Sequence, residues 1–349
     1  MTDSIFATDP GAKDFPPPSI AVRPEWLARV HEPVIEPDLT IVDAHHHLWN
    51  RPFERYVLPD LLADLGAGHR IAATVYVQCR SMYRTDGPVE LRPVGETEHL
   101  LRVLKNLGPN DPHVAAGIVC MADLMLGDGV APVIEAQIEA AQGRLRGVRT
   151  MTSSHPTIHS NFGAVPAHRL LDPQWRKGAA HLPAHGLVCD IYVFHTQLDE
   201  VVDLARSLPN LTIVLNHMGT PLGTGTFADR RQEVFGMWSA AMRRLAECPN
   251  VVIKLGGAGT HSFGFRFHEA PNPPDSTQLA ETLRPYVHTC IELFGVNRCM
   301  FESNFPVDKG QFGYRTMWNA FKRLASAASA HEKQALFAGT AKRVYRMDI

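Results

Sequence analysis

Short, nearly continuous apolar runs recur along this chain and alternate with segments of helical spacing. The runs are TIVDAHHHL, IAATVYVQC, VAAGIVCMA, LRGVRTM, LVCDIYVF, LTIVLNHMG, NVVIKLGG and RCMFESNFP. Runs with so few polar breaks predict strands buried on both faces, as in a parallel sheet. Between them the period changes. Leu198, Val201, Val202, Ala205 and Leu208 fall on one helical face, as do Leu100, Val103, Leu104 and Leu107. Pro112, Gly147, Gly186, Pro209 and Pro249 mark the joints.

Eight strand–helix units predict either a closed barrel or an open doubly wound sheet. A phosphate-cradling glycine loop would be expected after the first strand of the open form, yet that strand ends in His45-His46-His47. The expectation is an α/β chain forming a (β/α)8 TIM barrel over residues 40–349, preceded by an irregular Pro-rich N-terminal arm over residues 1–39. Two connections are longer than a bare turn, over residues 80–94 and 259–276. Both follow strands, which places them on the face where barrel loops shape a substrate pocket.

With 349 residues and 45% hydrophobic positions, the chain can bury one large core. Its net charge of -2, with both signs scattered, offers no basic stripe for nucleic acid and no polybasic membrane segment. The N-terminus lacks the pattern of a secretory signal, and no apolar run approaches the ~20 residues of a membrane span. The six cysteines are far apart, with Cys79, Cys120 and Cys189 inside strand-like runs, which predicts reduced thiols and a cytoplasmic protein. The partner expected is a small-molecule substrate; homo-oligomers stay open.

The chemistry gathers at strand ends. Side chains alternate along a strand, so His45 and His47 share a side and can share a metal ion or a substrate oxygen, whereas His46 points away. His195 ends the fifth run, His217 follows the sixth and Asn304 ends the eighth. Unpaired buried imidazoles cost free energy, so four histidines at one rim argue for a site rather than for packing.

These motifs, taken in order, resemble the amidohydrolase superfamily. The resemblance rests on DAHHHLW, Val77-Gln78, the GVR of the fourth run, HTQL, LNHMGTPLG, KLGG, the S-x-x-P of the eighth run and LFAGTAKRVYRM. It runs from Ile41 to the end of the chain and is nearest the amidohydrolase-2 branch, with its sugar-lactone and pyrone-dicarboxylate hydrolases. The resemblance implies a barrel in which water attacks a polarised carbonyl. It implies one divalent ion, zinc for example, held by His45, His47 and His195, with His217 polarising the carbonyl or handling protons. Zinc would bring the pKa of its water toward neutrality, although some lactonase relatives work without metal.

Two departures stand out. The fourth run offers Gly147-Val148-Arg149-Thr150 and no lysine to bridge two metals, so at most one is expected. The strand-eight aspartate of the family is Asn304 here, and an amide is neither a base near neutral pH nor a good ligand. Glu302, one pleat deeper, is a candidate base and equally a candidate buried partner of an arginine or Lys254. His217 is the other candidate base, and Asp308 reads as a helix cap.

Arg149 is placed to clamp a substrate carboxylate in two hydrogen bonds, or to pair with a loop acid. Gln78 and Tyr192 sit near strand ends as further substrate contacts or as satisfied core residues, and Arg266 and His268 as lid contacts. His155, His159, His288 and His331 read as surface or cap residues. The function expected is hydrolysis of a lactone or related ester of a small, carboxylated organic acid. Alternatives are a decarboxylase or hydratase on the same scaffold, where His45 stands against the glutamate of family decarboxylases, and a non-catalytic metabolite binder.

Overall fold

The computed structural model describes residues 8–11, 20–158 and 165–349. Eight parallel strands pair in chain order: β1 (Ile41–His46), β2 (Ile71–Val77), β3 (His113–Cys120), β4 (Leu145–Met151), β5 (Val188–Tyr192), β6 (Ile213–Leu215), β7 (Val251–Leu255) and β8 (Cys299–Phe301). All eight apolar runs thus became strands. The ring closes just past β8, where Asn304 N–H donates to His45 O at 2.8 Å and His47 N–H to Phe305 O at 2.8 Å. Helices follow the strands, among them Val94–Leu104, Leu198–Ser207, Ser276–Phe294 and Tyr314–Leu324. Leu198, Val201, Val202 and Ala205 are buried as their spacing predicted.

The barrel interior is layered. Val42, Ala44, Val75, Val77, Val119, Val188, Val214, Val252 and Met300 form an apolar floor, closed by Tyr345 and Met347 from the C-terminal segment. Above it lie Asp190, Asn216, Lys254 and Glu302, each no more than 1% exposed. Small branched residues below and polar residues at the strand ends are how a parallel barrel separates stability from chemistry.

Two readings need correction. Gly147 is not at a joint but inside β4, where a Cβ would stand 2.7 Å from Val188 Cγ2 and 2.9 Å from Val188 O. Asp308 caps no helix. It is buried, accepting from Gly259 N–H at 2.8 Å and from Asn304 Nδ2 at 2.7 Å. A hairpin, Trp49–Arg51 paired with Glu54–Tyr56, also follows β1 unannounced by the periodicity.

Within the arm, Trp26 Nε1–H donates to Ala270 O at 3.1 Å and Arg29 to Pro271 O at 2.9 Å, so its described part lies against the long connection after β7. All six cysteines are free and buried, and burial pushes the thiols of Cys79, Cys120 and Cys189 up. No helix among the described residues is long and apolar enough to cross a membrane.

Candidate active site

The alternation of β1 is broken by a register shift between Asp43 and His46. Such a bulge re-aims side chains. His45 and His47 bring their Nε2 atoms together, while His46 Nε2 lies 2.8 Å from Thr74 Oγ1 and its ring edge-on to Tyr76. Burial lowers the His46 pKa to about 3. The triple histidine therefore divides into a pair whose Nε2 atoms face each other and one residue packed behind them.

The pair is tightly posed. His47 Nδ1–H donates to Val77 O at 2.7 Å, which leaves the lone pair on Nε2; that nitrogen is 3.2 Å from His45 Nε2. Trp49 stacks on the His47 ring at 5.6 Å. Burial holds both imidazoles well below their ordinary pKa, and Lys254 and Arg149 add to that for His45 and His47 respectively. The shift favours the neutral ring, which keeps a lone pair on one nitrogen of each.

Glu302, from the end of β8, joins two histidines. His217 donates to its Oε1 twice, from Nδ1 at 2.6 Å and from the backbone N–H at 3.1 Å, and His45 Nδ1 lies 2.9 Å from its Oε2. His217 follows β6 in the left-handed region, with φ 54° and ψ 41°. Such a conformation is held by its surroundings. Two glycines of the KLGG motif provide them. A Cβ on Gly256 would meet Glu302 Cγ at 2.5 Å, and one on Gly257 would meet His217 Nδ1 at 2.1 Å. The motif is a mould for the carboxylate–imidazole pair.

Lys254 does not pair with Glu302, as one expectation had it. Its ammonium donates to Asp190 Oδ2 at 2.8 Å and stands 3.3 Å from His45 Nδ1. Asp190 also accepts from Asn216 Nδ2 at 2.9 Å and from Tyr345 Oη–H at 3.0 Å. Asp190 and Asn216 escaped the sequence reading, although an Asp and a Lys inside apolar runs are themselves a signal of an interior pair.

Arg149 reaches the site but is committed. It donates from Nη2 to Gln78 O at 2.6 Å, and its Nη1 is 3.4 Å from Asn216 Oδ1 and 3.3 Å from His45 Nε2. Both terminal nitrogens thus meet protein acceptors, while the buried Nε has no partner among the described residues. Replacing Arg149 with Lys removes the planar fork. The expected outcome is a roughly 10–100-fold loss of kcat/KM, equal for neutral and carboxylated lactones. A loss confined to carboxylated substrates would restore the clamp.

Of the remaining candidates, Gln78 donates to Arg149 O at 3.2 Å and keeps a buried Oε1 without a partner among the described residues. Tyr192 packs edge-on against His217 at 5.5 Å. Asn304, with φ 55°, is turned to Asp308, whose carboxyl burial holds well above its ordinary pKa. Arg266 is exposed and paired with Glu269 at 2.7 Å, and His268 Nδ1 lies 3.2 Å from Gln311 Oε1. His155 lies by Phe227, beside His195, rather than alone on the surface. His288 bonds Leu324 O, His331 is exposed, and His159 is outside the described residues.

His195 stands apart from its expected co-ligands. Its Nδ1 accepts from Leu222 N–H at 3.2 Å, so the proton sits on Nε2, which is buried and has no partner among the described residues. Burial lowers its pKa to about 4. In that tautomer Nε2 is a donor, not a ligand. For a metal, His45, His217 and Glu302 offer ligand atoms within 4.8 Å of one another and could hold an ion. Their contacts of 2.6 and 2.9 Å are hydrogen-bond distances, however. The 3.2 Å between the Nε2 atoms of His45 and His47 is also a hydrogen-bond distance, but it matches the spacing of two ligands on one ion. Bonds of about 2.0–2.1 Å in a tetrahedral zinc site put ligands roughly 3.3 Å apart.

The amidohydrolase family model matches residues 42–347. An uncharacterised protein of Sinorhizobium fredii is 32% identical over 327 residues, covering 89% of this chain and 99% of its own. An L-fucono-1,5-lactonase of Burkholderia multivorans is 28% identical over 321 residues, covering 88% and 96%. Among solved structures, an amidohydrolase of Burkholderia multivorans with bound zinc superposes with a TM-score of 0.67 at 25% identity, over 88% of this chain and 99% of that one.

Proposed function

Because this chain belongs to the amidohydrolase family, we propose that it hydrolyses a lactone or related ester of a small organic acid by activated water. The observation that carries the reading is the 2.6 Å contact between Glu302 Oε1 and His217 Nδ1 at the mouth of the barrel. A carboxylate on Nδ1 fixes the tautomer, leaves the Nε2 lone pair to take a proton from water, and stabilises the imidazolium that results. His217 is then the base and Glu302 its positioning residue. The buried Nε2–H of His195 is suited to donate to the lactone carbonyl as it gains negative charge. Gln78 Oε1 is free to accept from a hydroxyl of the substrate. Similarity to an L-fucono-1,5-lactonase supports this substrate class.

His45 and His47 would hold a divalent ion such as zinc through their facing Nε2 atoms. When bound, it would polarise the carbonyl and make water more acidic. Purified protein is expected to carry up to about one equivalent of divalent metal, lost when His45 and His47 are both replaced by Ala. Elemental analysis of the two proteins decides this, and equal metal content would remove the pair from the metal site.

The reading is tested by turnover on sugar lactones such as L-fucono-1,5-lactone, with and without chelator. Acid release from the lactone supports hydrolysis. Release of carbon dioxide from a carboxylated substrate, or binding without turnover, would overturn it.

A further inference from the structure

Three successive carbonyls at the end of β2 hold side chains that converge on the site. Val77 O takes His47 Nδ1–H at 2.7 Å, Gln78 O takes Arg149 at 2.6 Å, and Cys79 O takes Arg51 at 2.5 Å. The Arg51 guanidinium lies 4.6 Å over Trp49, the ring that stacks on His47. The Val77–Cys79 segment is thus a rack, and the pose of His47 depends on where it stands.

The rack leaves the ladder as it leaves β2. Gln78 N–H still donates to Val119 O at 2.8 Å, but Cys79 N–H finds its acceptor in a side chain, Glu96 Oε1, at 2.7 Å. Glu96 lies in the first turn of helix Val94–Leu104 and is 4% exposed. The same oxygen accepts from Tyr76 Oη–H at 2.8 Å and from the Cys79 thiol at 3.3 Å. One buried carboxyl oxygen therefore anchors the rack.

We propose that Glu96 is a positioning residue for the hydrolysis: it fixes the Val77–Cys79 carbonyls and through them the Nδ1–H tautomer and orientation of His47. Glu96 touches neither His45 nor His47 and has no part in proton transfer. Its contribution lies in keeping the Nε2 lone pair of His47 aimed at His45. Outer partners that orient an active imidazole are commonly worth about 10–100-fold in activity or metal affinity. Part of the inference rests on the hydrolase reading, so the experiment has one readout that needs no turnover.

The full-length protein is compared with Glu96→Gln, Glu96→Met and Tyr76→Phe. Gln keeps an acceptor oxygen for Cys79 N–H, whereas Met fills the space and accepts nothing. Imidazole nitrogens are labelled isotopically, and the Nδ1–H/Nε2 signature of His47 is read by nitrogen NMR, assigned with His47→Gln. Glu96→Met is expected to blur or lose that signature and to lower kcat roughly 10–100-fold with little change in KM. Glu96→Gln should restore both nearly to wild type. Should Glu96→Met not fold, Tyr76→Phe, which strips one donor from the same oxygen, should shift the His47 signal in the same sense with a smaller loss of kcat. An unmoved His47 signal in every folded variant, or Glu96→Gln as damaged as Glu96→Met, overturns the proposal. A wild-type protein that shows the signature but hydrolyses no lactone instead overturns the hydrolase reading and leaves the positioning role standing on its spectroscopy.

Discussion

Exchange of His217 for Asn is expected to lower kcat on a lactone roughly 10²–10⁴-fold, the usual cost of removing a general base. The size follows from the geometry. Nδ1 of this ring is spoken for by Glu302 at 2.6 Å, so the proton of the attacking water has one nitrogen to go to. Glu302→Gln should cost less, roughly tenfold to a hundredfold, because the amide oxygen can still receive Nδ1–H while the charge that stabilises imidazolium is gone. The double variant should be no slower than His217→Asn alone, since the two act as a unit. Steady-state kinetics on the four proteins, each checked for fold by circular dichroism, makes the comparison. If Glu302→Gln is nearly dead while His217→Asn is fast, the carboxylate itself is the base and the roles are reversed.

Lys254→Met should be among the most destabilising single changes in the chain. Both Lys254 and Asp190 have fully buried side chains, and the substitution leaves the aspartate charge without its cation. Breaking such a pair from one side costs about 3–5 kcal/mol. Asn216 and Tyr345, which also donate to Asp190, pull the expectation to the lower end. Asp190→Asn combined with Lys254→Met removes both charges, and its denaturation midpoint should recover at least half of the loss. Chemical denaturation of the single and double variants measures this; additive losses would mean that the two side chains are not coupled. Lys254 also stands 3.3 Å from His45, so the recovered double variant shows separately what the ammonium does for activity.

The barrel was legible because burial on both faces leaves a strand no choice of composition, and every one of the eight runs obeyed. The strand-end histidines were legible for the complementary reason, that polar residues have no business at such positions without chemistry. What the pattern could not carry was anything set by a side chain reaching across the barrel. His195 and His47 have the same letter in the sequence, but Leu222 N–H and Val77 O give them opposite tautomers. Arg149 sits where a clamp would sit, yet its acceptors come from β2 and from beyond β6, which no spacing reveals. Asp308 was read from its local surroundings alone, and its partner Gly259 is on another loop. Glu96 was hidden in an amphipathic helix beside Glu98, where such acids read as solvent-facing.

The stack of Trp49 on His47 puts an indole ring against a histidine of the candidate site. The rings are 5.6 Å apart and tilted by only 23°, and Trp49 is 6% exposed, so its indole sees little besides its neighbours. Indole π-electrons respond to a cation drawn close to the ring face. The Arg51 guanidinium already lies 4.6 Å over that ring, so a charge gained by His47 would be a second cation beside the same indole. The other tryptophans, Trp26, Trp175, Trp238 and Trp318, are each buried in the fold, with none stacked on this histidine. A change of emission on adding a divalent metal or a lactone is therefore expected, and its loss in Trp49→Phe would assign it to this ring.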